Sequence, residues 1–133
     1  MSVEANKQVV LEHFRLMNEG KYIEALKDFS EDLEWWCGGN DAHGGTNSKQ
    51  DMVDAYTHQL PEYFPNGFQQ NMGPLIGEGD WVVAYGTNQT ERSGVGKQYF
   101  NHFAWIFQFR DGKVVMFREY FDTAHARDAL FTP

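Results

Sequence analysis

Cysteine is nearly absent: Cys37 stands alone in 133 residues, so no disulfide can close within the chain and a reducing cytoplasm is the expected compartment. Basic runs are missing too. With 11 Lys and Arg against 19 Asp and Glu, the formal net charge is -8. A phosphate backbone is bound by clustered cations that release counterions, so no nucleic-acid partner is expected. The same deficit disfavours an anionic membrane, and no apolar segment approaches the roughly 20 residues of a bilayer span. The opening Met1-Ser2-Val3-Glu4-Ala5-Asn6-Lys7 is polar and begins a helical pattern, which does not read as a secretory signal. His13, His43, His58, His102 and His125 show none of the spacings that pair two ligands on a helical turn, so no metal is expected.

Aromatic residues are what the chain has in abundance. Phe (11), Tyr (6) and Trp (4) make up 16% of it, a composition suited to a small-molecule cavity lined by rings. The length, 133 residues, corresponds to one domain able to bury roughly 65 to 70% of its unfolded surface.

Val10, Phe14 and Met17 share one face of a helix over residues 3–19, and Gly20 is placed to stop it. A second short helix is expected over 21–29, carrying Tyr22, Ala25, Leu26 and Phe29. A strand over 33–37 runs into a loop over 38–47 rich in Gly, Asn and Asp. Ser48 is a good N-cap for a third helix, with Met52, Val53, Tyr56 and Leu60 at helical spacing until Pro61 interrupts. Strand patterns follow over 68–75, 81–91, 97–109 and 114–122, and the tail over 123–133 reads as a helical cap. Helices first and hairpin-linked strands afterwards predict an α+β domain, three N-terminal helices covering one face of a curved antiparallel sheet.

The last strand contains the most informative residue. Side chains alternate faces along a strand, so Val115, Phe117, Glu119 and Phe121 point one way and Val114, Met116, Arg118, Tyr120 and Asp122 the other. Glu119 thus puts a carboxylate among rings, where lost hydration favours its protonated form and suits it to general acid/base work. The register of the hairpin decides its neighbours. A two-residue Asp111-Gly112 turn sets Glu119 opposite Ala104. A three-residue Arg110-Asp111-Gly112 loop with a G1 bulge sets it opposite Phe103, beside Asn101, Trp105 and Phe107. The second register is preferred, because it gathers Phe103, Trp105, Phe107 and Phe109 on the buried face.

The helical opening, Ser30-Glu31-Asp32, the segment Tyr99-Phe100-Asn101-His102-Phe103, and Asp111-Gly112-Lys113-Val114 leading into Arg118-Glu119-Tyr120 resemble the SnoaL-like group of the nuclear-transport-factor-2-like superfamily, which includes ketosteroid isomerases. The resemblance spans nearly the whole chain. It implies a cone-shaped curved sheet (a cystatin-like α+β barrel) around a pocket, and a homodimer formed through the outer sheet surface. Limonene-epoxide-hydrolase-like proteins have a catalytic acid at the position of Glu119, but their Arg and second Asp correspond to Gly86 and Asn88, which argues against epoxide hydrolysis. The phenazine-biosynthesis A/B family again places its acid/base Glu at Glu119, while its His and Ser fall near Tyr56 and Leu60.

Taken with the resemblance, these residues predict proton transfer, of isomerase or cyclase type, on a hydrophobic cyclic or aromatic carbonyl compound. Glu119 is the expected acid/base, with Asn101 and Asn88 holding a polar substrate oxygen. Trp35, Tyr56, Phe103, Trp105, Phe117 and Phe121 are the expected binding walls. Enolisation or cyclisation needs only a placed base and hydrogen-bond donors, so no cofactor is expected. The second catalytic group of each relative is missing here, which leaves a non-catalytic ligand-binding or dimerisation module as the alternative.

Overall fold

Ser2 begins the first helix, its hydroxyl accepting the Ala5 amide, and α1 (Val3–Asn18) then presents Val10, Phe14 and Met17 to the interior as the spacing predicts. The computed structural model describes residues 2–133. Asn6 and His13 are buried on the same face, which hydrophobic periodicity did not anticipate. The helix expected over 21–29 is reduced to a single 3-10 turn at Glu24–Leu26. Its length is curtailed because Phe29 already pairs with Val114 and draws the chain into an extended path.

β1 (Phe29–Cys37) is longer than expected, and β2 (Gly45–Asn47) folds back onto it from within the glycine-rich loop. Ser48 caps α2 (Lys49–Asp54) in a reciprocal box with Asp51. Pro61 does not end this helix. A π-helical turn at Ala55–Gln59 precedes α3 (Leu60–Tyr63), and the Leu60 amide bonds Ala55 O. The wider turn accommodates the missing Pro61 N–H and its ring without breaking the rod. The strands β3 (Gln69–Met72), β4 (Ile76–Glu78), β5 (Trp81–Thr90), β6 (Tyr99–Arg110) and β7 (Lys113–Phe121) follow. They end in α4 (Thr123–Ala126), capped by Asp122 and continued by a π-helical turn at Arg127–Phe131.

The α+β architecture is the expected one, three helices against one large curved sheet, but the sheet is mixed. Its order is β2-β1-β7-β6-β5-β3, with β4 also on β5 and β1 running parallel to β7. Gly86 permits the close approach of β3: a Cβ there would lie 1.8 Å from Asn71 O.

Arg110 pairs with Lys113 across a two-residue turn in which Asp111 (φ 51°) and Gly112 (φ 78°) are both left-handed. The three-residue loop expected here is therefore not used. A bulge then makes Val115 an extra residue between the Phe109–Val114 and Gln108–Met116 pairs. The bulge turns Val114 inward, where it is fully buried, and leaves Val115 half-buried, reversing the two predicted faces there. Beyond it Glu119 lies opposite Trp105, still on the ring-bearing face. His13 and Phe14 of α1 pack edge-on or tilted against Phe29 and Phe107, with Phe117 stacked on Phe107 and edge-on to Phe29, and together they fill that half of the cone.

Candidate active site

Parallel pairing of β1 and β7 sets Cys37 beside Glu119 and Trp35 beside Phe117. One carboxylate oxygen, Oε2, consequently accepts from Trp35 Nε1 at 2.9 Å and from Cys37 Sγ at 3.4 Å. Trp105 Nε1 completes no hydrogen bond of good geometry, although its N–H still favours the charged carboxyl. Burial outweighs these donors and pushes Glu119 above the ordinary carboxylate range. The balance is physically reasonable: a neutral donor to a charged acceptor contributes roughly 1.5 to 3 kcal/mol, and withdrawing an unpaired ion from water costs several. Glu119 is only half-buried by surface area, because it faces a cavity.

The cavity has a volume of about 120 Å³ and lies between the sheet, the α2–α3 rod and the C-terminal helix. Its buried walls include Trp35, Tyr56, Phe64, Phe68 and Tyr99. Asp41, His43, Gly44, Tyr63 and Phe131 also line it and are half-buried, as are Gly38, Leu60, Phe103, Glu119 and Phe121. Arg127 Nε meets Asp41 Oδ1 at 3.0 Å, tying the 38–47 loop to the C-terminal helix. His43 stacks on Trp35 with centroids 5.6 Å apart, its Nε2 3.4 Å from the Tyr63 hydroxyl, and burial lowers its proton affinity. Tyr56 is held well above the ordinary phenol range by burial and by the nearby Glu119 and Cys37, so it keeps its proton as a donor.

Burial, reinforced by the Glu119 charge, also pushes the Cys37 thiol up. The thiolate is the nucleophile, so native Cys37 is expected to resist iodoacetamide at pH 8 and to react once urea unfolds the chain. Mass spectrometry of the alkylated protein is the check, and rapid native modification would contradict the buried, protonated thiol.

The model of the SnoaL-like domain matches residues 10–117. The chain belongs to the SnoaL-like family. The fold of this SnoaL-like protein is shared by an NTF2-like protein of unknown function from Burkholderia pseudomallei K96243, with 23% identity, coverage of 98% of this chain and 99% of that one, and a TM-score of 0.82. Bal32a from a soil-derived mobile gene cassette is similar at 21% identity over 96% of this chain and 98% of that one, TM-score 0.83. TerC co-crystallized with polyporic acid is similar at 23% identity over 95% and 98%, TM-score 0.79. None of the curated proteins has a matching sequence.

In this SnoaL-like chain Glu119, Trp35, Tyr56, Phe103, Phe121 and Asn88 all line the cavity. Trp105 and Phe117 do not: at 0% and 1% exposure they belong to the packed half of the cone, Trp105 stacked on Phe103 and edge-on to Phe14. Asn101 is also away from the cavity wall. Its amide donates to the Tyr99 hydroxyl at 3.0 Å and to Asp122 O at 2.9 Å and accepts from Asp122 N at 3.2 Å, joining β6 to the start of α4. Asn101 thus positions the C-terminal helix and has no free group for a substrate. Sequence reasoning missed Gln70, His43 and the indole donor of Trp35, since none of the three reveals its partner through local spacing. Among the described residues, no cluster of three or more His, Cys, Asp or Glu could hold a metal ion, and no helix is long and apolar enough to cross a membrane.

Proposed function

We propose that this protein catalyses proton transfer on a hydrophobic cyclic or aromatic carbonyl compound, with Glu119 as the acid/base. The observation that carries the reading is a desolvated carboxyl lining an apolar cavity, with Oε2 held by Trp35 and Cys37. Ionised Glu119 takes the proton from the carbon next to the carbonyl. The C–H electron pair becomes the enolate π-bond, and the carbonyl oxygen gains charge against the Tyr56 hydroxyl as donor. Protonated Glu119 then returns the proton to the same or a conjugated carbon, so the step needs no outside oxidant or reductant. The co-crystallization of TerC with polyporic acid supports the capacity of this fold to admit a small organic molecule.

Deuterium exchange at C1 of 2-indanone in heavy water, followed by proton NMR, tests the reading. Exchange above the buffer rate is expected, and its absence at saturating protein would leave the non-catalytic binding module. That second reading has one observation in its favour: the other carboxylate on the cavity, Asp41, is engaged by Arg127.

A homodimer through the outer sheet face belongs to the same proposal. Tyr85, Phe100 and Tyr120 are exposed there, Trp36 packs against Tyr120 at 4.8 Å, and Arg118 lies over the Trp36 ring at 5.6 Å. Sedimentation equilibrium is expected to give twice the chain mass, and a monomer at all micromolar concentrations would remove the dimer. The lone protonated thiol of Cys37 suits a cytoplasmic setting.

A further inference from the structure

Four buried side-chain atoms lack a hydrogen-bond partner among the described residues, and two of them, Gln70 Oε1 and Asn88 Oδ1, belong to neighbouring residues on the cavity wall. Gln70 on β3 and Asn88 on β5 are register partners, each 6% exposed. Native interiors leave few such groups unpaired; these two oxygens are closed off where they stand, while the side chains that carry them line the cavity, where a polar ligand group could complete the amides. Each amide can present its oxygen or its NH2 by rotation about its last torsion. Together they can accept the proton of a hydroxyl and donate to its oxygen.

The pair stands apart from Glu119. In the sheet order β7-β6-β5-β3, Asn88 is two strands from Glu119 and Gln70 three. Glu119 lies opposite Trp105 and Asn88 opposite Asn101, four residues along β6, or roughly 13 Å at a strand's rise before curvature shortens it. Phe103 and Phe121 line the apolar stretch of the same cavity.

We propose that Gln70 and Asn88 form a second polar subsite that binds a hydroxyl carried on the ligand's ring system at the end remote from the group held at Glu119. The subsite rests on the proposed function for the ligand's orientation and on the two unpartnered amides for its existence. It selects elongated, hydroxylated ring compounds over their unsubstituted analogues.

Matched ketones measure the selection by titration calorimetry: 6-hydroxy-2-acetonaphthone against 2-acetonaphthone, and 4-hydroxyacetophenone against acetophenone. In the wild-type protein the hydroxyl of the longer pair is expected to tighten binding about tenfold, the scale of one well-made buried hydrogen bond. The Gln70→Ala/Asn88→Ala double variant is expected to reduce that ratio below twofold while still binding 2-acetonaphthone, which also reports that it is folded. Glu119→Gln is expected to slow indanone exchange by roughly 10²- to 10⁴-fold and retain the tenfold ratio, so loss of the catalytic reading and loss of the subsite are separate outcomes. A ratio below twofold in the wild type overturns the subsite. So does a ratio that survives in the double variant, or failure of both members of every pair to bind at millimolar concentration.

Discussion

Glu119→Gln is expected to slow indanone exchange by roughly 10²- to 10⁴-fold, the range a positioned general base contributes. The substitution is nearly isosteric, and the glutamine carbonyl can still accept from Trp35 Nε1 in place of Oε2. Loss of rate would therefore report loss of the proton acceptor and not of the wall. Stability should move the other way. Burial raises the Glu119 proton affinity in the folded chain, so the unfolded chain gives up this proton at lower pH than the folded one. The protonated carboxyl suits the fold up to the ordinary Glu range, and the advantage disappears as pH rises through the elevated folded value. At pH 7 the glutamine variant should accordingly melt no lower than the wild type, as happens when an active-site strain is relieved. The wild-type exchange rate should rise with pH through that same elevated value, since only the ionised form takes a proton. Exchange within a few-fold of wild type in a folded Glu119→Gln protein would take the residue out of the mechanism.

Acidification from pH 6.5 to 4 is expected to remove about 3 kcal/mol of stability through His13 alone. His13 of α1 is buried, its Nδ1 2.9 Å from Ala25 O and its ring among Phe14, Phe29, Phe107 and Phe117. Among the described residues no charged side chain acts on the ring to compensate an imidazolium. Burial lowers its proton affinity from 6.5 to about 4, although the Ala25 carbonyl favours the charged form. Below pH 6.5 the unfolded chain takes up a proton that the folded chain refuses until pH 4, and stability falls throughout that window at roughly 1.4 kcal/mol per pH unit. This is a large share of the roughly 5 to 15 kcal/mol that a domain possesses. His13→Asn can place its amide nitrogen where Nδ1 sits and keep the bond to Ala25 O. It should be less stable at pH 7 because the ring is lost. The informative quantity is the slope: urea melts of the variant should lack this component between pH 6.5 and 4. Equal slopes in the two proteins would mean that His13 already titrates normally.

The hairpin of β6 and β7 illustrates how a face can be legible when a register is not. Period-two alternation put Glu119 with Phe103 and Phe107, and it is there. The turn and the bulge, however, were both misplaced, and the two shifts at Asp111-Gly112 and Val115 leave the buried face unchanged beyond them. Burial of the ring face constrains parity strongly and the exact partner weakly, so Phe103 was expected opposite Glu119 and Trp105 is found. His13 was invisible for a related reason. Its ring is packed like a phenylalanine, and a polar residue type on an apolar helical face reads from sequence as an interruption. Gln70 gave no indication either, because β3 is four residues long and its inward side depends on pairing with β5.

Local chemistry therefore carried the α+β class, the Ser48 cap, the strand order in the chain and the side on which Glu119 emerges, since each depends on residues a few positions apart. Which groups meet Glu119 was decided only by the fold. The parallel contact of β1 with β7 joins positions more than eighty residues apart, bringing the Trp35 indole and the Cys37 thiol onto one oxygen. The pairing of β3 with β5 set Gln70 and Asn88 side by side on the wall of the same hollow that Glu119 lines. Pairings of that span depend on the packing of the entire sheet, and no short stretch of sequence contains both halves of the contact.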